Sequence, residues 1–142
     1  MLSQRSKISV GLAYASGTAD RTGAVLDMQG WDGVLMIFQF ATIAAGGTNS
    51  IKAQQGAAAN MSDAADLAGT AQTVADDYDG KIKYIDVYQP RERYVRAYVD
   101  KDTSNACAET VTYIQYRGQS LPSTHSTDVV GESFVAPAEG TA

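Results

Sequence analysis

The chain reads as an all-β protein built on antiparallel sheet, and three observations carry that reading. Residues 81–88 (KIKYIDVY), 93–100 (RYVRAYVD) and 109–117 (ETVTYIQYR) are β-branched and aromatic runs set between short turn segments, the pattern of neighbouring antiparallel strands. Near the N-terminus, Ile8, Val10, Leu12 and Tyr14 alternate with Ser9, Gly11 and Ala13, a period of two with one apolar face. The third observation is a shortage of reactive groups: one histidine and one cysteine in the whole chain. Together they point to a shaped surface rather than an active site.

In chain order, residues 7–14 form the first predicted strand. A small, polar, glycine-containing stretch, 15–22, then leads to a second apolar run over 24–28. Trp31-Asp32-Gly33 punctuates the chain before 34–41 (VLMIFQFA), whose two alternating faces are both apolar. That run is expected to be the most buried strand. Over 44–70 the composition shifts to Ala, Gly, Ser, Asn and Gln. This predicts a long loop with a brief extended piece at 50–55 and one short helix after Ser62, a suitable N-cap, ending by Gly69.

Residues 73–75 begin another strand, and Asp76-Asp77-Tyr78-Asp79-Gly80 supplies a hairpin turn into 81–88. Turns at Gln89-Pro90-Arg91-Glu92 and 101–105 then return the chain into 93–100 and 108–117. These last strands are expected to pair in sequence as a meander. The β domain is placed at 1–118. Beyond Gly118, sparse apolar residues in a proline-marked polar background read as an extended C-terminal arm, 119–142.

With 142 residues, 44% of them hydrophobic, the chain suits one domain with one core. Cys107 has no partner for an intrachain disulfide, so the fold is expected to hold in a reducing cytosol. The N-terminus lacks the apolar region of a signal peptide, and no run approaches the roughly 18 apolar residues of a membrane span. A soluble, unprocessed protein without a membrane partner is expected. Its net charge of -5 argues against nucleic acid, whose binding rests on Lys and Arg neutralising phosphates.

No constellation points to an enzyme, a cofactor or a metal. Cys107 and His125 stand 18 residues apart with nothing local to align them. Asp76, Asp77 and Asp79 lack the later bidentate glutamate of a calcium loop, so a plain turn is the reading there. The stretch 45–48 lacks the Lys of a phosphate-cradling loop. Arg91, Arg93 and Arg96 cluster at one turn, which fits either a solvated turn or a protein interface. Six tyrosines, at 84, 88, 94, 98, 113 and 116, line the late strands; they serve sheet packing or intersubunit contact. The candidate interface residues are Arg91, Arg93, Arg96, Tyr94, Tyr98, Leu121, Pro122 and Phe134.

Several stretches carry a resemblance: KISVGLAYASGT, LDMQGWDGVLMI, IKAQQ, LAGTAQTVADDYDGK, IDVYQPRERYVRAYVDKDTSNA, SLPSTHSTDVV and PAEGTA. Through them nearly the whole chain is similar to small phage and prophage virion proteins that cement or decorate tailed-phage capsids. The resemblance implies a jelly-roll-like antiparallel β-sandwich and a homo-oligomer, dimer or trimer. It also implies a partner, the major capsid protein, on the outer surface of an icosahedral head, with the protein made in the host bacterial cytoplasm. A tail-associated or head-completion protein would use the same sandwich. From another class, a carbohydrate-binding module would place exposed tyrosines on one sheet face.

Overall fold

A computed structural model describes residues 1–133, 135 and 136. After a single helical turn, α1 (Leu2–Arg5), the strands follow in order. They are β1 (Ser6–Gly17), β2 (Arg21–Thr22), β3 (Leu26–Asp27), β4 (Trp31–Ile43), β5 (Thr48–Gly56), β6 (Ala65–Asp66), β7 (Gln72–Ala75), β8 (Ile82–Tyr88), β9 (Tyr94–Asp100) and β10 (Cys107–Gly118). One sheet has the order β1-β10-β4-β8. In the other, β9 and β5 lie side by side; β2 and β3 share the outer side of β9, and β6 and β7 that of β5.

The antiparallel pairings are nested, β1 with β10, β2 and β3 with β9, β4 with β8, β5 with β7. The chain is thus one long hairpin rolled into two facing sheets, a jelly roll. The expected jelly-roll-like antiparallel sandwich is the observed fold.

Two finer expectations are corrected. The strands β8, β9 and β10 do not form a meander: β8 and β10 flank β4 in one sheet, while β9 lies in the other. Likewise Asp76–Tyr78 is a short 3-10 turn that carries the chain from β7, on β5, across to β8, on β4, rather than the turn of a hairpin. Period-two alternation says that a strand has one buried face but does not name its neighbour. A connection of a few residues crosses the roughly 10 Å between sheets as easily as it closes a hairpin.

The predicted helix after Ser62 is also absent. Residues 48–56 are strand β5, and beyond it the chain makes a series of turns in which Met61 has a φ of 56°, outside the right-handed helical region. The Asp63 carboxylate accepts the Ala57 and Ala58 N–H groups at 2.8 and 3.1 Å. Asp63 therefore closes a loop instead of starting a helix.

The strand β4 alternates rather than burying both faces. Val34, Met36, Phe38 and Phe40 fill the core, while Leu35, Ile37 and Gln39 look outward. From β10, Val111, Tyr113 and Gln115 join them. Tyr113 spans the sandwich: its hydroxyl oxygen accepts the Ala97 N–H of β9 at 2.9 Å, and burial pushes the phenol up to about 12. This crossing needs space on both sides. A Cβ at Gly11 would sit 2.7 Å from the Tyr113 ring, and one at Gly23 would overlap its hydroxyl.

A second crossing is ionic. Glu109 of β10 is fully buried between Arg21 at 2.7 Å and Lys101 at 2.6 Å. The Lys101 ammonium also donates to the Cys107 carbonyl at 2.8 Å, so it joins the buried carboxylate to the backbone at the start of β10.

Gly23→Ala should destabilise the domain by about 1–3 kcal/mol through overpacking. Combining it with Tyr113→Phe, which vacates the same space, should cost less than the sum in urea unfolding. Lys101→Met, which leaves a buried carboxylate with Arg21 alone, should cost about 3–5 kcal/mol in the same measurement.

Candidate functional site

The two outward faces differ in chemistry. On the β9-β5 sheet the outward residues are tied to one another. Lys52 pairs with Asp66 at 2.7 Å, Gln54 donates to Asp66 and accepts from Arg96, and the Tyr98 hydroxyl donates to Asp20 at 3.0 Å. Lys52 also lies 4.8 Å over the Tyr98 ring. This face is a closed polar network. The face of the β1-β10-β4-β8 sheet instead presents Ile8, Val10, Leu35, Ile37, Ile114, Tyr84 and Tyr88. Contiguous apolar surface of this kind marks contact sites.

The edges of that second sheet are guarded. Along β1, Ser123 N–H donates to Gln4 O, Ser126 N–H donates to Ile8 O, and His125 Nδ1 accepts the Ile8 N–H at 3.1 Å. The C-terminal segment thus occupies the positions that another strand would use. Along β8, Lys83 pairs with inward-facing Phe38 and turns its ammonium over the Tyr78 ring at 4.4 Å. Inward charge on an edge strand discourages strand addition, and Gln72 also covers the Tyr84 carbonyl at 3.0 Å.

The candidate interface residues do not form one site. Tyr94, Arg96 and Tyr98 share the outward side of β9, with Arg93 beside them bound bidentately to Asp27 at 2.6 and 2.9 Å. Arg91 is exposed in the preceding turn, where an open cavity of about 480 Å³ is lined by Trp31, Asp32, Arg91 and Arg93 among others. Leu121 and Pro122 are exposed in the segment near β1, beside the other sheet. Phe134 lies outside the described residues.

Sequence alone misses the apolar face, because the outward Leu35 and Ile37 look like core. Ile8 and Val10 carry the same signal, since the bulge at Gly11 turns Val10 outward and Leu12 inward.

Cys107 and His125 are not brought together. Cys107 is buried where β10 meets Gly17 and Ile43, whereas His125 sits at Ile8, opposite Ile114. That places them about 20 Å apart along the sheet. Burial, reinforced by the Glu109 charge, pushes the thiol up to about 11. The Asp76 to Asp79 cluster is spent on backbone: Asp79 accepts from Ile43 N–H at 2.7 Å and Asp76 from Gly46 N–H at 2.6 Å. Among the described residues no three metal-ligating side chains converge, and no helix is long and apolar enough to cross a membrane.

Comparison with known proteins bears on the fold. No family model matches the chain, and no curated protein matches it. Among solved structures, it is similar to the PBSX exported protein XepA, with a TM-score of 0.58, 16% identity and 95% of this chain covered. The chain spans 45% of that protein's length.

Carboxylates that hold loops should make the domain acid-labile. Asp102 is lowered from 3.8 chiefly by backbone N–H bonds from Ser104 and Thr48, Asp63 by those from Ala57 and Ala58, and Asp20 by Lys101 N–H. Asp27 is lowered by Arg93, and Asp66 by Lys52. A depressed folded value stabilises above 3.8, and that stability is lost as pH falls through the folded values. The urea midpoint should be flat down to about pH 5 and fall below about pH 4, with a shallower fall in Asp102→Asn.

Proposed function

We propose that this chain is a structural protein of a phage particle, a cement or decoration protein. In this reading it binds the outer surface of an icosahedral capsid, self-associates, and bridges capsomers. The observation that carries the reading is a sandwich with guarded edges whose β1-β10-β4-β8 sheet keeps an apolar outward face among the described residues. Such a body works by adhesion. The sequence resemblance to capsid-decorating proteins supports it, as does the fold shared with XepA, an exported phage protein.

On this view the major capsid protein meets the exposed turns and the segment after Gly118, and many weak contacts repeated over a lattice add up to firm attachment. Binding only the assembled shell would stabilise it by mass action. The protein performs no bond-making of its own.

A second reading has one observation in its favour: Tyr84 and Tyr88 are exposed on the same strand, the arrangement an aromatic sugar-binding platform uses. Glycan-array binding that Tyr84→Ala abolishes would favour that module.

Counting copies per native particle by quantitative mass spectrometry should give hundreds for a decorator. A few to dozens would assign the chain to the tail or to head completion. Removing residues after Pro122 should leave the sandwich folded yet lower capsid occupancy, and unchanged occupancy would contradict a capsid role for that segment.

A further inference from the structure

Residues 119–133 fold against β1 as a flap. From Ser123 to Ser126 the flap runs in the same direction as the chain entering β1, since Ser123 N–H donates to Gln4 O at 2.9 Å and Ser126 N–H to Ile8 O at 3.3 Å. It then turns, with Val129 N–H donating to Ser126 O at 3.0 Å, and comes back to α1, where the Ser133 and Ser3 hydroxyls share a hydrogen bond. A cavity of about 340 Å³ remains beneath it, lined by Gln4, Ile8, His125, Val129 and Glu132 among others.

One bond in this set depends on protonation. The Ile8 N–H donates to Nδ1 of His125 at 3.1 Å. An imidazole nitrogen accepts only through its lone pair, so the docked ring is neutral with its proton on Nε2. Once the ring is charged both nitrogens donate, and an N–H would face an N–H at that contact. The ring is half-buried and lines the cavity, so a proton reaches it without the sandwich opening.

From this geometry we infer that the flap is a pH-sensitive strap: neutral His125 fastens it to β1, and protonated His125 releases it from residue 124 onward, uncovering the Ile8 N–H and carbonyl on the strand edge. Ser123 is the hinge, held by its N–H on Gln4 O and its hydroxyl on Ser6 O. His125 is the chain's one histidine, and histidine is the side chain that ordinarily changes charge between about pH 5 and 8.

The charged groups around the ring are Glu132 in the same cavity, Arg5 and Lys7 on the chain entering β1, and Asp27 and Asp128 across Ser126, where they line the neighbouring cavity with Lys7. On β10 the partner of Ile8 is Ile114, which carries no charge. Among the described residues the ring's hydrogen bond is the one from Ile8, and protonation takes that contact away. Only the released flap accepts a proton at this nitrogen, so release is favoured as pH falls. A free imidazole takes its proton at about pH 6.5. Below that value the docking constant should fall about tenfold per pH unit, one proton being linked to each release. The opening is local, leaving the core in place, and it precedes acid unfolding of the domain.

Nothing in this inference requires a capsid, so it is read in the purified full chain. Amide exchange followed by NMR gives the protection factor of Ile8, with the intrinsic pH dependence of exchange divided out. That factor should be high at about pH 7.5 and fall about tenfold per unit from about pH 6.5 to 5, while the Val111 and Tyr113 amides of β10 keep theirs. His125→Ala, which removes the acceptor, should leave Ile8 unprotected across the range. His125→Asn places a carbonyl oxygen where Nδ1 stands and does not titrate, so it should keep Ile8 protected throughout.

An Ile8 amide equally protected from about pH 7.5 to 5 in the wild type would overturn the inference, as would one already unprotected at the upper end. So would a loss of protection on acidification that persists in His125→Asn, or a His125→Ala chain whose Ile8 is protected as in the wild type.

Discussion

Strand β10 pairs with β1 on one side and β4 on the other, partners drawn from the opposite end of the chain. Everything else in the sandwich is arranged around that strand. Its inward side chains join the sheets: Tyr113 reaches the backbone of β9, and Glu109 gathers Arg21 from β2 and Lys101 from the β9–β10 connection. Neither link tolerates much change. The phenol is accommodated only because Gly11 and Gly23 lack side chains, and the carboxylate is tolerable only because two cations neutralise it. Contacts so distant in sequence make a slow-folding topology, in which loop closure must precede any gain from pairing.

Once the hairpin is rolled up, surface chemistry is partitioned. The β9-β5 sheet faces water through Lys52, Gln54, Asp66, Arg96, Tyr98 and Asp20, each engaged by a neighbour. The other sheet has both edges covered and keeps its apolar rows outward. A protein divided this way can adhere through a broad face while resisting the strand-to-strand addition that leads to uncontrolled aggregation.

The acidic balance has a local use. Asp20, Asp27, Asp63, Asp76, Asp79 and Asp102 each accept backbone N–H groups at a turn, so connections that lack secondary structure still have defined geometry. Asp76 and Asp79, read in sequence as part of a plain turn, hold the β4–β5 connection against the turn before β8.

The class and the positions of β1, β4, β8, β9 and β10 were legible in the residues themselves, while β5 was largely hidden in a stretch that reads as loop. Alternation at 93–100 and the β-branched run at 109–117 follow from local sterics and from the need of each strand to bury one side, whereas at 7–14 the bulge at Gly11 splits the apolar set between the two faces. Several things were not legible, because they depend on which strand lies beside which. Neighbours are chosen by long-range packing: the seat of Tyr113 over Gly11 and Gly23, or the pairing of Ile37 with Tyr84, involves residues far apart in the chain. The open apolar face belongs to this second group. In sequence, Leu35 and Ile37 look as buried as Val34 and Met36, and only the stacking of two sheets decides which of the two sides is left outside.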